Sequence, residues 1–495
     1  MSMQHLSRGD RPTVPLIFEK HIEGMCGVDL PPLDVAESAI PENLRGREVE
    51  LPSIGQHDVM THYTHLSNRN FSVDGNFYPL GSCTMKHNPR INEWAASLPG
   101  FSCLHPLQDE DSIQGALRLL YETRTMLEEI SGLHEVSLQP AAGAHGEFTA
   151  LKVILAFFAD HGESQRTVVL APDTAHGTNP ASCTMCRASV KQVRTLNGHT
   201  DTDHLKEVID AVGAEHIAAF MITDPSTAGL FDPQIKEMAD IVHNAGAKVY
   251  LDGANMNALL GRVKPSDFGA DAMHFNTHKT FSTPHGGGGP GSGPIAVTKE
   301  LAPYLPVPQV MMSEDGSFYL DRDRSKSIGK VRSFIGQFGV LVRCWTYISA
   351  CGAVGLRHVA DTAVLNANYL AAQLQDVYSM PYFSPDTGAF CAHEFVTVPR
   401  SLLDKGVTLV DIAKRMIDYG VHPPTMHWPV QDCLMVEPTE TESKQALDSF
   451  IAVMLQIATE IEHDIDSVKN APLVSDIARV DEVGAARKPV LAWTD

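Results

Sequence analysis

A regular alternation of short apolar runs and amphipathic helical patterns fills the middle of the chain and constrains its fold more than any other feature. The apolar runs are residues 167–171, 217–223, 248–251, 272–275 and 294–297. The helical patterns between them are 148–158, 204–212 and 235–244. Such an alternation is typical of βαβ units. It predicts an α/β fold whose mostly parallel sheet is buried on both faces, with ligands at the carboxyl ends of the strands.

The flanking segments predict three units along the chain. Residues 1–105, rich in Pro, Asn, His and Ser, predict an arm that lies over other parts of the protein. Residues 106–356 form the large domain, which begins with a helix near 112–130 and includes a polar surface excursion at 311–332. Residues 357–495 form a smaller α/β domain. Its predicted elements are helix 358–375, strand 395–398, helix 409–419, strand 434–437 and helix 442–461.

The charge and the cysteine content of the chain limit the partners and the cellular compartment that we expect for it. Acidic residues outnumber basic ones by 60 to 38, and a net charge of −22 disfavours nucleic acid and anionic membranes as partners. Nine cysteines in 495 residues are too sparse for a disulfide scaffold, and no secretory segment is recognised at the start. The apolar stretch 334–356 predicts a buried helix rather than a membrane span. We therefore expect a soluble protein of the cytoplasm.

Three short segments carry candidate chemistry. Residues 139–148 (QPAAGAHGEF) form a small-residue turn that opens a helix, which suits a phosphate, although a plain tight turn would look the same. Asp252 ends an apolar run, where a satisfied core carboxylate or a Mg²⁺ ligand are alternatives. Lys279 follows another apolar run, where a surface lysine with a packed stem is the alternative.

Together these segments are the parts that pyridoxal phosphate requires. The phosphate needs a helix start, the ring nitrogen needs a carboxylate, and the aldehyde needs an amine that loses its proton readily. His176, just past run 167–171, would supply a flat ring to stack on the cofactor, although a structural loop histidine would fit equally well.

Two other motifs are discounted, and no metal is expected. The G-x-G-x-x-G match at 286–291 is followed by a strand pattern instead of a helix, so a dinucleotide site is disfavoured. Cys183 and Cys186 form a Cys-x-x-Cys without a second pair at zinc spacing, and they are interpreted as packed thiols.

Many longer motifs resemble the glycine cleavage system P protein, and the resemblance covers about residues 75–460. They are 78–86 (YPLGSCTMK), 173–180 (DTAHGTNP), 223–229 (TDPSTAG), 276–281 (NTHKTF), 284–294 (PHGGGGPGSGP), 392–395 (AHEF), 418–426 (DYGVHPPTM), 427–430 (HWPV) and 435–440 (MVEPTE). The chain is about half as long as single-chain P proteins and is similar to their carboxyl-terminal half. The resemblance therefore implies the second subunit of a split, two-subunit enzyme.

The resemblance implies a type I pyridoxal-phosphate-dependent (aspartate aminotransferase-like) fold and a set of site residues. Lys279 would bond to the cofactor aldehyde, Asp252 would hold the ring nitrogen, and His176 would stack on the ring. Weaker assignments give Asn255 to the ring hydroxyl, and the Gly143 and Ala144 N–H groups, with His278, to the phosphate.

The implied activity is that of a glycine dehydrogenase (aminomethyl-transferring, decarboxylating), an oxidoreductase. Glycine loses CO₂, and the aminomethyl group passes to the lipoyl arm of H protein. The implied partners are glycine, lipoylated H protein and P-protein subunit 1, in a heterotetramer of two dimers. The glycine pocket should be comparatively apolar, because a strong arginine clamp on the carboxylate would oppose decarboxylation. The alternatives are another type I pyridoxal phosphate enzyme, such as an aminotransferase-like protein or a decarboxylase, and a non-catalytic scaffold subunit.

Overall fold

A computed structural model describes residues 14–46, 50–81, 83–285 and 291–491. The helices are α1 Gln56–Ser67, α2 Arg90–Ser97, α3 Pro99–Ser102, α4 Gln114–Ser131, α5 Gly143–Asp160, α6 Thr178–Met185, α7 Thr202–Val212, α8 Ile235–Asn244, α9 Phe338–Leu374, α10 Arg400–Leu403, α11 Leu409–Asp418, α12 Lys444–His463, α13 Ile465–Lys469 and α14 Glu482–Arg487. The strands are β1 Glu135–Ser137, β2 Val168–Pro172, β3 Ser189–Val193, β4 Thr195–Leu196, β5 His199–Thr200, β6 Ile217–Thr223, β7 Lys248–Gly253, β8 Ala272–Phe275, β9 Ile295–Val297, β10 Gln309–Met312, β11 Phe318–Asp321, β12 Phe395–Thr397, β13 Thr425–Met426 and β14 Leu434–Val436.

A seven-stranded sheet in the order β1-β9-β8-β7-β6-β2-β3 forms the centre of the molecule. Strands β8, β7, β6, β2 and β3 pair in parallel, as the alternating pattern predicted. Strand β9 is antiparallel to both of its neighbours, β8 and β1. A parallel return would need a crossover, usually a helix, and the described residues between β8 and β9 contain none. The predicted strand at 294–297 therefore exists, with reversed direction.

A second, smaller core lies after residue 366. Strands β12, β14 and β13 form an antiparallel sheet in that order, and α11, α12 and the end of α9 supply apolar side chains to the same core. Tyr378, Phe395 and Phe450 are almost completely buried there. The first core uses side chains between Leu117 and Ala360.

Helix α9 replaces the two predicted helices 334–356 and 358–375. It is interrupted at Gly352, which has φ 60° and ψ −179°, a conformation that favours glycine. Among the described residues, α9 is the one helix long and apolar enough to cross a membrane by length and composition alone. It packs against α2, α4 and α12 and buries Leu341 and Cys344, but Val354 is exposed, so the predicted buried helix is buried only in part.

Two segments differ from their sequence-based expectation. The stretch 311–332, predicted to be a surface excursion, overlaps the hairpin of β10 and β11, whose Val310 and Leu320 join the main core. The first hundred residues are not all an irregular arm, because α1 and α2 form within them. From Phe77 onward the chain enters the interior, and the carbonyl group of Pro79 accepts a hydrogen bond from the Glu437 N–H (2.7 Å).

Candidate active site

The carboxyl ends of β7 and β8 bring the two principal predicted residues into one site. Asp252 lies in β7, directly opposite His274 of β8, and Lys279 follows β8 by four residues. The positive charge of Lys279 affects the pKa of Asp252, His176 and His278, so these groups share one electrostatic environment. The sheet thus places amine, carboxylate and imidazole groups at the edge where ligands bind in open α/β folds.

Asp252 is a buried carboxylate, only 3% exposed. It accepts hydrogen bonds from the Asn179 amide (3.1 Å) and the Ala254 N–H (3.0 Å). Burial by itself would raise its pKa, but His274, the two hydrogen bonds and Lys279 together hold the pKa below its ordinary value. Within the described part of the chain, no lysine or arginine side chain forms an ion pair with Asp252. A buried carboxylate of this kind suits a cationic ligand atom.

Tyr250 and His274 support Asp252 from behind. The Tyr250 hydroxyl lies 2.6 Å from His274 Nδ1, and His274 Nε2 lies 3.5 Å from Asp252 Oδ1. Burial raises the pKa of Tyr250, so the phenol keeps its proton. Burial lowers the pKa of His274, the charge of Asp252 opposes this shift, and Nε2 is the ring nitrogen that lies nearer the carboxylate.

The predicted phosphate cradle is the start of α5. Helix α5 begins at Gly143, so the N–H groups of Gly143 and Ala144 lie in its first turn and lack acceptors within the helix. A Cβ atom on Gly143 would overlap the Asn276 amide, and one on Gly293 would overlap the Ala142 carbonyl group. The backbone of the turn is therefore packed closely against the segments around β8 and β9.

Two buried polar atoms beside this turn have no hydrogen-bond partner among the described residues. They are Asn276 Oδ1 and His278 Nδ1. Burial, and then the neighbouring His285, lowers the pKa of His278 to about 3, so its ring is neutral. Gly291 has φ 82°, and a Cβ there would overlap the His278 ring. The discounted glycine-rich motif lies outside the described residues at positions 286–290, and Gly291 is its only described glycine.

His176 lies just beyond β2, close to Asp252 and Lys279. Its Nδ1 is 2.7 Å from the Thr178 hydroxyl, and its ring meets Trp428 edge to face with 5.8 Å between the centroids. Burial, and also Lys279, lowers the pKa of His176 despite the opposing charge of Asp252. A neutral, flat imidazole is thus held at the mouth of the site.

Asn255 differs from its expected role as a donor to a ring hydroxyl. Its amide donates to the Thr84 hydroxyl and to Glu437 Oε1, both at 2.7 Å. Because these bonds use both hydrogens of the amide, Asn255 has none left for a ligand in this arrangement. It instead fixes Glu437.

Several site residues were missed in the sequence. Glu147, on α5, accepts hydrogen bonds from Thr178 (2.7 Å) and Ser182 (2.9 Å). Burial and the charge of Asp252 raise its pKa to about 7. Glu394 and Glu437 flank strands β12 and β14 and are buried. Both glutamates lie beside an apolar strand, Glu394 in the motif AHEF and Glu437 in MVEPTE. A carboxylate at such a position was the sequence signal that could have revealed them.

Cys183 and Cys186 are packed thiols in the structure. Both are buried and free, and burial raises their pKa values to about 12 and about 11, respectively. Thiols with raised pKa values are poor nucleophiles at neutral pH. This agrees with the interpretation of the Cys-x-x-Cys motif as packing.

The residues at this site fit pyridoxal phosphate. A helix start with unpaired N–H groups and no room for side chains suits the phosphate. The buried Asp252, which pairs with no lysine or arginine of the described residues, suits a protonated ring nitrogen, and Lys279 supplies an amine nearby.

Comparisons with known proteins are consistent along the whole chain. The family "Glycine cleavage system P-protein" matches residues 32–386, and "Glycine dehydrogenase, C-terminal domain" matches residues 359–475. A probable glycine dehydrogenase (decarboxylating) subunit 2 from Bacillus licheniformis is 51% identical over 486 residues, which is 97% of this chain and 98% of the relative. The protein of the same description from Halalkalibacterium halodurans is 52% identical over 486 residues, again 97% and 98% of the two chains.

A solved structure shows the same fold. The crystal structure of an inhibitor-bound glycine decarboxylase (P-protein) of the glycine cleavage system aligns with a TM-score of 0.68 and 22% identity, over 84% of this chain and 93% of that chain. The predicted fold class is confirmed: this is the type I pyridoxal-phosphate-dependent fold, with a mostly parallel sheet.

Proposed function

The chain belongs to the glycine cleavage system P-protein family, and on this premise we propose that it uses pyridoxal phosphate to decarboxylate glycine. The enzyme class of this family is glycine dehydrogenase (decarboxylating), so the chain is an oxidoreductase subunit of glycine catabolism. The observation that carries the proposal is the convergence of Lys279, the buried Asp252 and the open start of α5 at one edge of the sheet.

Six residues of the chain would hold the cofactor. Lys279 would hold its aldehyde, Asp252 its ring nitrogen, and His176 one face of its ring. The N–H groups of Gly143 and Ala144 would bind its phosphate, with His278 beside them. When bound, pyridoxal phosphate supplies an electron sink for the electron pair that remains when glycine loses CO₂. Asp252, whose pKa lies below its ordinary value, would be ionised at neutral pH and would keep a proton at the ring nitrogen, which that sink requires.

The charges near Lys279 suit decarboxylation. Among the described residues, the groups whose shifted pKa includes an effect of the Lys279 charge are histidines and carboxyl groups: His176, Asp252, His274, His278, His285, His393, Glu394 and Glu437. An arginine paired with the glycine carboxylate would stabilise the substrate more than the transition state. A pocket of imidazoles and carboxyl groups would hold that carboxylate weakly, which would favour loss of CO₂.

The remaining partners follow from the family. We assign lipoylated H protein as the acceptor of the aminomethyl group. The disulfide of its lipoyl arm is reduced in the transfer. P-protein subunit 1 is the companion subunit, in a heterotetramer of two dimers. We place this assembly in the cytoplasm, a reducing compartment in which the nine cysteines of the chain would stay as thiols.

The decisive measurement is the exchange of labelled bicarbonate into the carboxyl group of glycine, with H protein and with or without subunit 1. We expect Lys279→Ala to lower the exchange at least about 1,000-fold, as the loss of a covalent catalytic group commonly does. Far-UV circular dichroism and the melting temperature should remain near those of the unmodified chain.

The exposed Lys326→Ala is the matched control, since Lys326 pairs with Asp160 at the surface, away from the site. Borohydride reduction should fix the cofactor covalently to Lys279 in the control, and peptide mapping should locate it there. Lys279→Ala should carry no cofactor at this position. Near-normal exchange by Lys279→Ala would contradict the proposal, and a chain that captures no cofactor at Lys279 would favour the scaffold alternative.

A further inference from the structure

Two buried glutamates beside the strands β12 and β14 have pKa values that the charge of Lys279 lowers, and the reaction above gives them no role. Glu394 directly precedes β12, and Glu437 directly follows β14. The antiparallel register pairs Phe395 with Val436, so the two glutamates lie side by side at the same end of these strands. They are 7% and 1% exposed, and carboxyl oxygens of the two lie within 4.8 Å of each other.

The two carboxyl groups differ in their hydrogen bonds. Glu437 Oε1 accepts from the amides of Asn255 (2.7 Å) and Asn257 (3.1 Å), and its Oε2 accepts from the Thr84 hydroxyl (2.6 Å). Three donors stabilise the ionised form of a carboxyl group. In the described part of the chain, no hydrogen bond to the Glu394 carboxyl group is found. The hydrogen bonding therefore assigns the negative charge to Glu437.

Two negative charges at this separation and depth repel each other strongly, because little water screens them. Burial and the neighbouring Glu437 raise the pKa of Glu394 well above its ordinary value. Burial also raises the pKa of Glu437, against the opposing effect of Thr84, Asn255, Lys279 and Lys86. One proton shared by the pair relieves the repulsion.

The other charged and titratable neighbours do not take that proton. His393, 1% exposed, has its Nε2 3.7 Å from Glu394 Oε1, and both of its ring nitrogens lack partners among the described residues. Burial, and then the charge of Lys279, lowers the pKa of His393 to about 3, which makes it a weak base. Lys86 is committed to Glu440, 2.6 Å away. Lys279 is left as the group that can exchange a proton with the pair.

We propose that Glu394 and Glu437 form a pair that holds a single proton, carried by Glu394, and that this pair exchanges protons with the amine of Lys279. The inference rests on the proposed function, which gives the Lys279 amine its chemistry. When the ammonium group of Lys279 loses a proton, the electron pair of the N–H bond stays on nitrogen, and a lone pair of Glu437 takes the proton. The charges of +1 and −1 are both removed, and the reverse transfer restores them.

The backbone fixes this pair in position. Gly229 has φ 77°, and a Cβ atom there would overlap the carbonyl oxygen of Glu394. The Ala392 N–H donates to the Gly229 carbonyl group (2.7 Å), which ties the segment before Glu394 to the loop after β6. A pair held this firmly can transfer a proton without a large rearrangement.

A divalent metal ion could compete with the proton for this place. One nitrogen of His393 and one carboxyl oxygen each of Glu394 and Glu437 lie within 4.8 Å of one another, close enough to share a metal ion. Glu437 already accepts three hydrogen bonds, however, and the Lys279 charge lies nearby. A cation would have to displace those donors and overcome that repulsion. The proton is therefore favoured over a metal ion.

Infrared spectroscopy of the full-length, cofactor-free chain tests whether the Glu394 carboxyl group carries the proton. The difference spectrum between the unmodified chain and Glu394→Gln at pH 7 should contain a carboxylic-acid carbonyl band that shifts in D₂O. Glu93→Gln is the control, because Arg343 holds the pKa of Glu93 below its ordinary value and only carboxylate bands should be lost. If the difference spectrum between the unmodified chain and Glu394→Gln contains carboxylate bands instead, the proposal is wrong. Elemental analysis that finds one metal ion per chain would also overturn it.

Competitive acylation of the Lys279 amine, followed by mass spectrometry, tests the coupling in the same cofactor-free chain. Either single variant, Glu394→Gln or Glu437→Gln, leaves one glutamate to carry the charge, so the pKa of Lys279 should change little. The double variant removes the charge and should lower that pKa by about one unit or more. Equal, additive decreases from the two single variants would mean that both glutamates are ionised, and the proposal would be wrong.

The exchange assay then separates this proposal from the proposed function. Each single variant should capture the cofactor normally but exchange bicarbonate at least about 100-fold more slowly, as expected when a proton-transfer group is lost. Failure of the unmodified chain to exchange would refute the proposed function and leave the infrared and acylation results intact. Unchanged exchange rates in both single variants would refute the pair's part in proton transfer.

Discussion

At the level of single side chains, the protonation of Glu147 should make the stability of the chain depend on pH. Its pKa in the folded protein is about 7, against an ordinary value of 4.5, because of burial and the charge of Asp252. Between these two values the folded chain holds a proton that the unfolded chain has released, so stability falls as pH rises. The full effect is at most about 3 kcal/mol.

Glu147→Gln imitates the protonated form and should therefore flatten this dependence. We expect urea unfolding of the cofactor-free chain between pH 5 and 8 to show a smaller loss of stability for the variant than for the unmodified chain. The exposed Glu129→Gln is the control, because Lys264 lowers the pKa of Glu129 and leaves it ionised throughout this range. Parallel curves for Glu147→Gln and the unmodified chain would rule out the raised pKa.

Sequence patterns revealed the residues that follow strands but not those that support them. Lys279, Asp252 and His176 each end or follow an apolar run, where a polar side chain is conspicuous. Tyr250 and His274 lie inside such runs, and their contact with each other and with Asp252 depends on the register of β7 and β8. Register between distant strands is not readable from one sequence.

At the level of elements, the proposed phosphate site depends on the absence of a side chain at the start of α5. Gly143→Ala would place a Cβ atom against the Asn276 amide, which must move or be displaced. We expect the affinity for pyridoxal phosphate, measured by absorbance titration of the cofactor-free chain, to fall about tenfold or more, which corresponds to the 1–3 kcal/mol typical of overpacking.

Gly177→Ala is the matched control for this prediction. Gly177 precedes α6, and a Cβ atom there would meet no other atom within 4 Å. The control should bind the cofactor as tightly as the unmodified chain, and both variants should keep their circular dichroism. Equal affinities for Gly143→Ala and Gly177→Ala would exclude the start of α5 as the phosphate site.

Long periodic elements were predictable, whereas short or polar ones were not. Strands β6 and β8 and helix α8 have the bounds that their apolar patterns predicted. Helix α6, with the sequence TNPASCTM, has too few apolar residues for a recognisable period, yet it supplies Asn179 to the site. The hairpin of β10 and β11 was missed because the polar residues of its turn (313–317) and of the segment after it (321–327) outweigh two short apolar runs in the sequence.

At the level of the whole molecule, the segment 77–87, described at residues 77–81 and 83–87, joins the two cores, and sequence patterns did not indicate this. Lys86 donates to the Thr280 carbonyl group (2.8 Å) beside the large sheet and pairs with Glu440 of the smaller core. Lys86 and Glu440 are 354 positions apart in the sequence. An ion pair between residues so far apart in the sequence forms only when the chain has folded, so no short sequence pattern indicates it.

The Lys86–Glu440 ion pair should therefore contribute strongly to the stability of the assembled chain. The side chains are 1% and 9% exposed, so Lys86→Met would leave Glu440 as a buried carboxylate without its cation. We expect the free energy of unfolding in urea to decrease by about 3–5 kcal/mol. The double variant Lys86→Met/Glu440→Gln should recover much of this loss, because no unpaired charge stays buried.

The surface pair of Lys264 and Glu129 provides the comparison for this ion pair. Both side chains are largely exposed, at 44% and 81%, and Lys264→Met should cost no more than about 1 kcal/mol. A loss for Lys86→Met as small as that for Lys264→Met would show that the segment 77–87 does not couple the two cores. A double variant less stable than Lys86→Met alone would show that packing of the lysine stem, rather than pairing of its charge, stabilises this junction.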